Sequence, residues 1–102
     1  MIVIESKENS LFKNIKKLKE RKNRSKEKKY IIEGFRLVEE GFKAGADIEC
    51  LVIEEGNEQK ANEFLKEYLT VSKIYLMKKS LFGQLIATEN TQGVLAVVKM
   101  NL

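Results

Sequence analysis

The segment Lys13–Phe42, KNIKKLKERKNRSKEKKYIIEGFRLVEEGF, decides the reading of this chain. Between Lys13 and Lys29 stand ten Lys or Arg against two Glu, a local charge of +8. The other residues carry nine bases against thirteen acids, so the net charge of +4 conceals a cationic front on a mildly acidic body. Such a front suits a polyanion. Tyr30-Ile31-Ile32 then reads as a strand by its aromatic and β-branched content. Gly34 interrupts it, and a helix is expected over 35–44. Phe35, Leu37, Val38, Gly41, Phe42 and Ala44 share one half of that helix. The other half carries Arg36/Glu40 and Glu39/Lys43 at i,i+4 spacing. Gly45 suits the left-handed residue that closes a helix.

Upstream, Ile2–Ile4 is a short strand or packing arm. Asn9 or Ser10 can cap a helix in which Leu11, Phe12, Ile15 and Leu18 form one stripe and Lys13, Lys16 and Lys17 face outward. The stretch 19–29 loses periodicity and keeps only charge, which predicts a mobile basic loop, disordered without a polyanion. Downstream, residues 48–53 read as a strand covered on both faces. Asn57 can cap a helix running to about Leu69, with Ala61, Phe64, Leu65, Tyr68 and Leu69 on its buried stripe. A strand over 74–76, a short helix capped by Ser80 with Leu81, Phe82, Leu85 and Ile86 inward, the turn ATENTQG and a strand over 94–98 complete the pattern. Strands alternating with helices imply a compact three-layer α/β/α sandwich around a mainly parallel or mixed sheet of four or five strands.

The bulk numbers fit one soluble domain of 102 residues, and no apolar run approaches the roughly 20 residues that span a bilayer. The sequence has no His, which excludes Ser-His and Cys-His nucleophilic catalysis and most zinc sites. The single Cys50 sits in an apolar run, fits a reducing cytoplasm, and reads as a buried inert thiol. No Walker loop and no GxGxxG follow a strand. The composition argues for a binding domain.

Three stretches, NSLFKNIKKLKERKNR, YIIEGFRLVEEGFKAG and TENTQGVLAVV, occur in this order across nearly the whole chain. Together they resemble the N-terminal substrate-binding domain of the SpoU/TrmH family of RNA 2′-O-ribose methyltransferases. That family's domain is an α/β/α sandwich similar to kink-turn-binding ribosomal proteins. The resemblance implies RNA, ribosomal or transfer, as the partner, with no role for DNA or a membrane. It implies a knotted catalytic domain beyond Leu102 that binds S-adenosylmethionine. The 102 residues are then one non-catalytic substrate-binding domain, monomeric by itself, in a protein that dimerises through the catalytic domain. The alternative is a stand-alone RNA-binding or ribosome-associated protein. The family's usual Pro before Gln-Gly is Thr91 here, and a Thr is common where this chain has Asn90.

By charge, Lys13, Lys17, Arg21, Lys22, Arg24, Lys28 and Lys29 are the candidate phosphate contacts; lysine offers a mobile point charge and arginine a planar fork. The duller account of any one of them is a solvated surface cation. The resemblance adds Asn9, Glu33, Gly34, Thr88, Gln92 and Gly93. For Glu33 and Gly34 the structural account comes first: a carboxylate near a helix N-terminus and a glycine in a sharp turn. Arg36 could face Glu40 or RNA. Thr88, Asn90, Thr91, Gln92 and Gly93 could read unpaired base edges or a ribose hydroxyl, or could serve only to shape a turn. Tyr30, Tyr68 and Tyr75 are expected to be core or semi-core rather than stacked on bases.

Overall fold

The computed structural model describes residues 1–70, 72–86 and 92–101. The element order is β1 (Ile2–Ile4), α1 (Ser10–Lys17), α2 (Arg21–Glu27), β2 (Lys29–Glu33), α3 (Phe35–Lys43), β3 (Asp47–Glu54), α4 (Glu58–Leu69), β4 (Ile74–Met77), α5 (Lys79–Phe82) and β5 (Val94–Lys99). The strands form one mixed sheet in the order β1-β4-β3-β5-β2. β1, β4 and β3 run parallel, while β5 is antiparallel to both β3 and β2.

The central strands explain the layering. Side chains alternate across a strand, so an apolar run must have both its faces covered. Cys50 and Val52 of β3 and Leu95 and Val97 of β5 meet Phe12, Ile15 and Leu18 of the α1 arm and Leu81, Phe82 and Leu85 around α5. Leu51, Ile53, Val94 and Ala96 point the other way, onto Phe35 and Val38 of α3 and Ala61 and Leu65 of α4. The result is the expected α/β/α sandwich. One irregularity falls between Ile48 and Cys50, where the register with β5 shifts. Glu49 is the extra residue there, and its carboxylate meets Lys29 Nζ at 2.8 Å. A bulge of this kind re-aims one side chain while the strand continues.

Several expectations need correction. The basic stretch 19–29 is not a loop: it contains α2, closed by Lys28 in the left-handed conformation at φ 56°. α2 buries no side chain, which is why hydrophobic periodicity could not announce it. Ser80 does not cap α5, which is preceded by Lys78. Asn57 does flank α4 but makes no side-chain cap; its Nδ2 donates instead to Glu54 Oε1 at 3.2 Å. Leu37 and Phe64, expected on buried stripes, are 47% and 51% exposed. A half-helix stripe is wider than the area one neighbouring layer can cover, so its edges stay open. Tyr30 is exposed on the edge strand β2, whereas Tyr68 stacks on Phe42 with ring centroids 4.3 Å apart.

Candidate nucleic-acid interface

Asn9 starts the basic arm. Its Oδ1 accepts from Phe12 N at 3.1 Å, satisfying one of the free amides of the first turn of α1. Phe12 and Ile15 are buried beneath the helix. Lys13, Lys16 and Lys17 therefore face outward and, with Glu20 and Asn23, line a shallow groove between α1 and α2. Lys13 pairs with Glu8 at 3.0 Å and Lys22 with Glu20 at 3.8 Å, both on the open surface. Exposed pairs of this kind are worth little and exchange readily for another anion.

Arg24 has a different position from the one its charge implied. Its Nη1 donates to the carbonyls of Leu18 at 3.0 Å and Lys19 at 2.9 Å. Asn23 Nδ2 donates to Lys17 O at 3.0 Å. These bonds dock α2 onto the carbonyl end of α1, where cations are favoured by the helix dipole. Arg21 and Lys22 remain exposed at the start of α2.

The corner between the two helices reaches across to the end of α5. Lys16 Nζ donates to Gln84 Oε1 at 3.1 Å and Lys19 Nζ to Gln84 O at 2.9 Å. Sequence reasoning did not assign Lys16, Lys19 or Gln84 to the site. For Lys16 the signal was its place on the outer face of α1. For Gln84 there was none, because only the fold brings it near α1. Between the corner, β2 and the residues after α5 lies a cleft of about 280 Å³ lined by Leu18, Lys19, Arg24, Ile31, Glu33, Leu85 and Ile86. Glu33 thus faces this cleft at the end of β2, and the N-cap position of α3 is Gly34.

At the same end of the sheet the two glycine turns meet. Gly34 sits at φ 101° and its amide donates to Val94 O at 2.9 Å. Gly93 sits at φ 85°, and its carbonyl accepts from Glu54 N at 2.9 Å. A side chain at Gly34 would run into Gln92 Oε1, 2.8 Å from the position of a β-carbon. Gln92 itself is exposed. Arg36 stands just beyond, with its side chain 92% exposed and only a 3.8 Å approach to Glu40. Of the residues expected in the closing turn, Thr88, Asn90 and Thr91 lie outside the described residues.

The structure puts Arg24 on the cleft that Glu33 lines, with Gly34 next in the chain and Gln92 against it. Lys13 and Lys17 line the α1–α2 groove, and Arg21 and Lys22 stand exposed on α2. Lys28 and Lys29 are set apart. Lys29 opens β2 beside Lys99, at the opposite end of the strand from Gly34, and is already paired with Glu49. Cys50 is buried, and loss of water around its thiol, followed by the nearby Glu49 charge, raises its pKa from 9.0 to about 11. Among the described residues no group of carboxylates or Cys could hold a metal ion, and no helix is long and apolar enough to cross a membrane.

This arrangement can be compared with known proteins. Residues 9–96 match the model of the MRM3-like substrate binding domain, and the chain belongs to that family. A sequence search of curated proteins finds no match. Among solved structures, an RNA 2′-O ribose methyltransferase superposes with a TM-score of 0.79 at 26% identity, over 98% of this chain and 38% of its own. An rRNA methyltransferase from Sinorhizobium meliloti gives 0.78 at 18% identity, over 97% of this chain and 37% of its own. The SpoU methyltransferase AviRb from Streptomyces viridochromogenes, in complex with the cofactor AdoMet, gives 0.72 at 20% identity, over 91% and 34%. The chain thus spans a little over a third of the length of these enzymes. It has the fold of one domain of SpoU-type RNA methyltransferases, the substrate-binding one. The cleft's lining is a poor match for S-adenosylmethionine: Lys19 and Arg24 outnumber the carboxylate of Glu33, whereas the sulfonium and ammonium of that ligand outweigh its one carboxylate.

Proposed function

We propose that this domain binds folded ribosomal or transfer RNA across the α1–α2 face and the Gly34–Gln92 edge. It would present that RNA to an S-adenosylmethionine-dependent 2′-O-ribose methyltransferase domain of the same polypeptide. The observation that carries this reading is the tie of Lys16 and Lys19 to Gln84. With the cleft that Lys19 and Arg24 share with Glu33, the neighbour of Gly34, it supports reading the cationic helices and the glycine-turn end as one surface. Lysines on the helical face would neutralise phosphates and set affinity, while the turns and the cleft approach sugar and base. The methyl donor, when bound to the partner domain, supplies the methyl group. The residues of this domain bind and orient the RNA.

The test is an RNA titration at two salt concentrations. It compares the natural domain with a variant carrying Lys13, Lys16, Lys17 and Lys22 changed to Gln. Arg24 is left in place because it docks α2. The expected result is weaker binding and a shallower salt dependence, by roughly 0.7 to 0.9 in the log–log slope for each phosphate that is no longer neutralised. Binding indistinguishable from the natural domain would remove the helical face from the interface.

A further inference from the structure

We infer that Phe64, at the seam between α3 and α4, is a stacking platform for one unpaired base of the RNA, with Lys60 and Arg36 placed for the phosphates beside it. This inference rests on the RNA-binding reading above and adds a contact on the layer opposite the cationic helices.

Phe35 is the first residue of α3, directly after Gly34, and is buried. Phe64 of α4 leans on it, with ring centroids 5.6 Å apart and the planes tilted by 33°. Half of Phe64 nevertheless stays open to solvent, at 51%. Its neighbours Ala61 and Leu65 are fully buried and hold α4 on the core. The chain leaves helical geometry at Leu65, with φ −123° and ψ 16°, so Phe64 stands immediately before a bend in α4.

A single exposed apolar side chain is ordinary on a protein surface. The surroundings of this one are not those of a stray stripe edge. A second ring backs it from below, which holds its open part in place. Lys60 Nζ stands 5.4 Å from the centroid of that second ring, and among the described residues Lys60 makes no ion pair. Arg36 follows Phe35 in the chain, with its side chain 92% exposed and only the 3.8 Å approach to Glu40. An open aromatic ring beside cations is the pattern that holds single strands: the base stacks on the ring and the backbone meets the charge. A duplex keeps its bases stacked on one another, so the nucleotide received here is unpaired.

The ring also belongs to the glycine-turn end of the sheet. Asn57, which flanks α4, packs its carboxamide against Gly93, and Phe35 follows Gly34. A strand leaving the Gly34–Gln92 edge therefore meets the start of the α3–α4 seam next. Glu63 and Glu67 are exposed on the same helix. They make this region a poor general anion site and favour one arrangement, with the base on Phe64 and its phosphates towards Lys60 and Arg36.

The experiment follows the ring signals of the domain labelled at Phe by NMR. The probe is a single-stranded oligoadenylate RNA of about ten nucleotides, within the range that single-strand sites cover. Inorganic polyphosphate serves as the probe without bases. The RNA is expected to shift the Phe64 ring through the ring current of a stacked base, and polyphosphate is not. Phe64→Leu should weaken RNA binding on the order of tenfold, the scale of one base–aromatic stack, without changing the salt slope. Phe64→Tyr should restore the affinity. Lys60→Gln should lower the slope by about 0.7, the share of one phosphate on a single strand. The shifts on the unaltered protein keep the test valid if a variant folds poorly. RNA that binds without moving the Phe64 ring, or Phe64→Leu binding like the natural domain, overturns the platform and leaves the RNA-binding reading intact. Shifts of this ring with protein concentration in the absence of RNA also overturn it and assign Phe64 to a contact between copies. Absence of any RNA binding overturns both readings.

Discussion

Gln92 lies across the Gly34 turn, its Oε1 only 2.8 Å from where a β-carbon on residue 34 would stand. The approach couples the turn after β2 to the turn before β5, two points far apart in the chain that the sheet makes neighbours. Backbone conformation is strained for any other residue there, because Gly34 has φ 101° and ψ 146°, a region essentially restricted to glycine. Its opposite number, Gly93, is enclosed by the carboxamide of Asn57.

Gly34→Ala should therefore lower stability by about 1–3 kcal/mol, the cost of one residue held in such a conformation. Gln92→Ala in the same chain should recover little of it, since the far end of a glutamine side chain can move aside. Gly93→Ala should cost more than Gly45→Ala, which has a similar φ of 77° but nothing within 4 Å of its β-carbon position. Urea midpoints at unchanged m-value would measure all four variants. Equal losses at Gly93 and Gly45 would show that Asn57 yields freely.

Arg24→Ala should release α2 without unfolding the domain. The two carbonyl bonds it gives up are worth about 1–2 kcal/mol together, and α2 buries nothing that the core needs. Amide exchange within 21–27 is expected to accelerate by on the order of tenfold while the thermal midpoint stays nearly constant. A large drop in the midpoint would mean that α2 is part of the cooperative core.

Lys29→Gln should separate charge from recognition. The residue carries the same charge as its neighbours in the basic segment, but it is paired with Glu49 at 2.8 Å. It also stands roughly 16 Å from Gly34 along β2, at about 3.3 Å per residue. RNA affinity is expected to stay within about twofold of the natural domain, with a stability loss of no more than about 1 kcal/mol for a partly exposed pair. A loss of affinity equal to that of Lys17→Gln would extend the interface to this end of the sheet.

Cys50 should resist thiol reagents at pH 8 in the folded domain and react at a rate set by opening. With the folded pKa raised from 9.0 to about 11, the unfolded chain releases its proton first as pH rises. Stability from this group is therefore complete below about pH 9 and declines as pH rises through about 11. Cys50→Ala should show a smaller decline across that window in urea titrations. An identical decline would trace it to other groups.

Much of the architecture was legible in the chain because it depends on short-range periodicity. Val94–Val98 and Ile48–Ile53 are apolar at every position that matters, and a strand of that kind has to be covered on both sides. The stripe of Phe12, Ile15 and Leu18 fixed the orientation of α1 and hence its outward lysines. The helix at 21–27 was not legible, since it is held by Arg24 and Asn23 bonding to carbonyls of α1 rather than by an apolar face. Nor was the partial exposure of Leu37 and Phe64, which depends on how far α3 and α4 cover each other.

By itself, the sequence determined the alternation of strands and helices, the cationic front and the need for glycine at the turns, all of which follow from local sterics, period and charge. Only the tertiary structure decided which cations share a surface. The fold brings Gln84 to the corner of α1 and α2 and Gln92 to Gly34, while Glu49 in its bulge takes Lys29. Charge says how strongly a segment attracts a polyanion; the long-range pairing of strands decides where each charge stands.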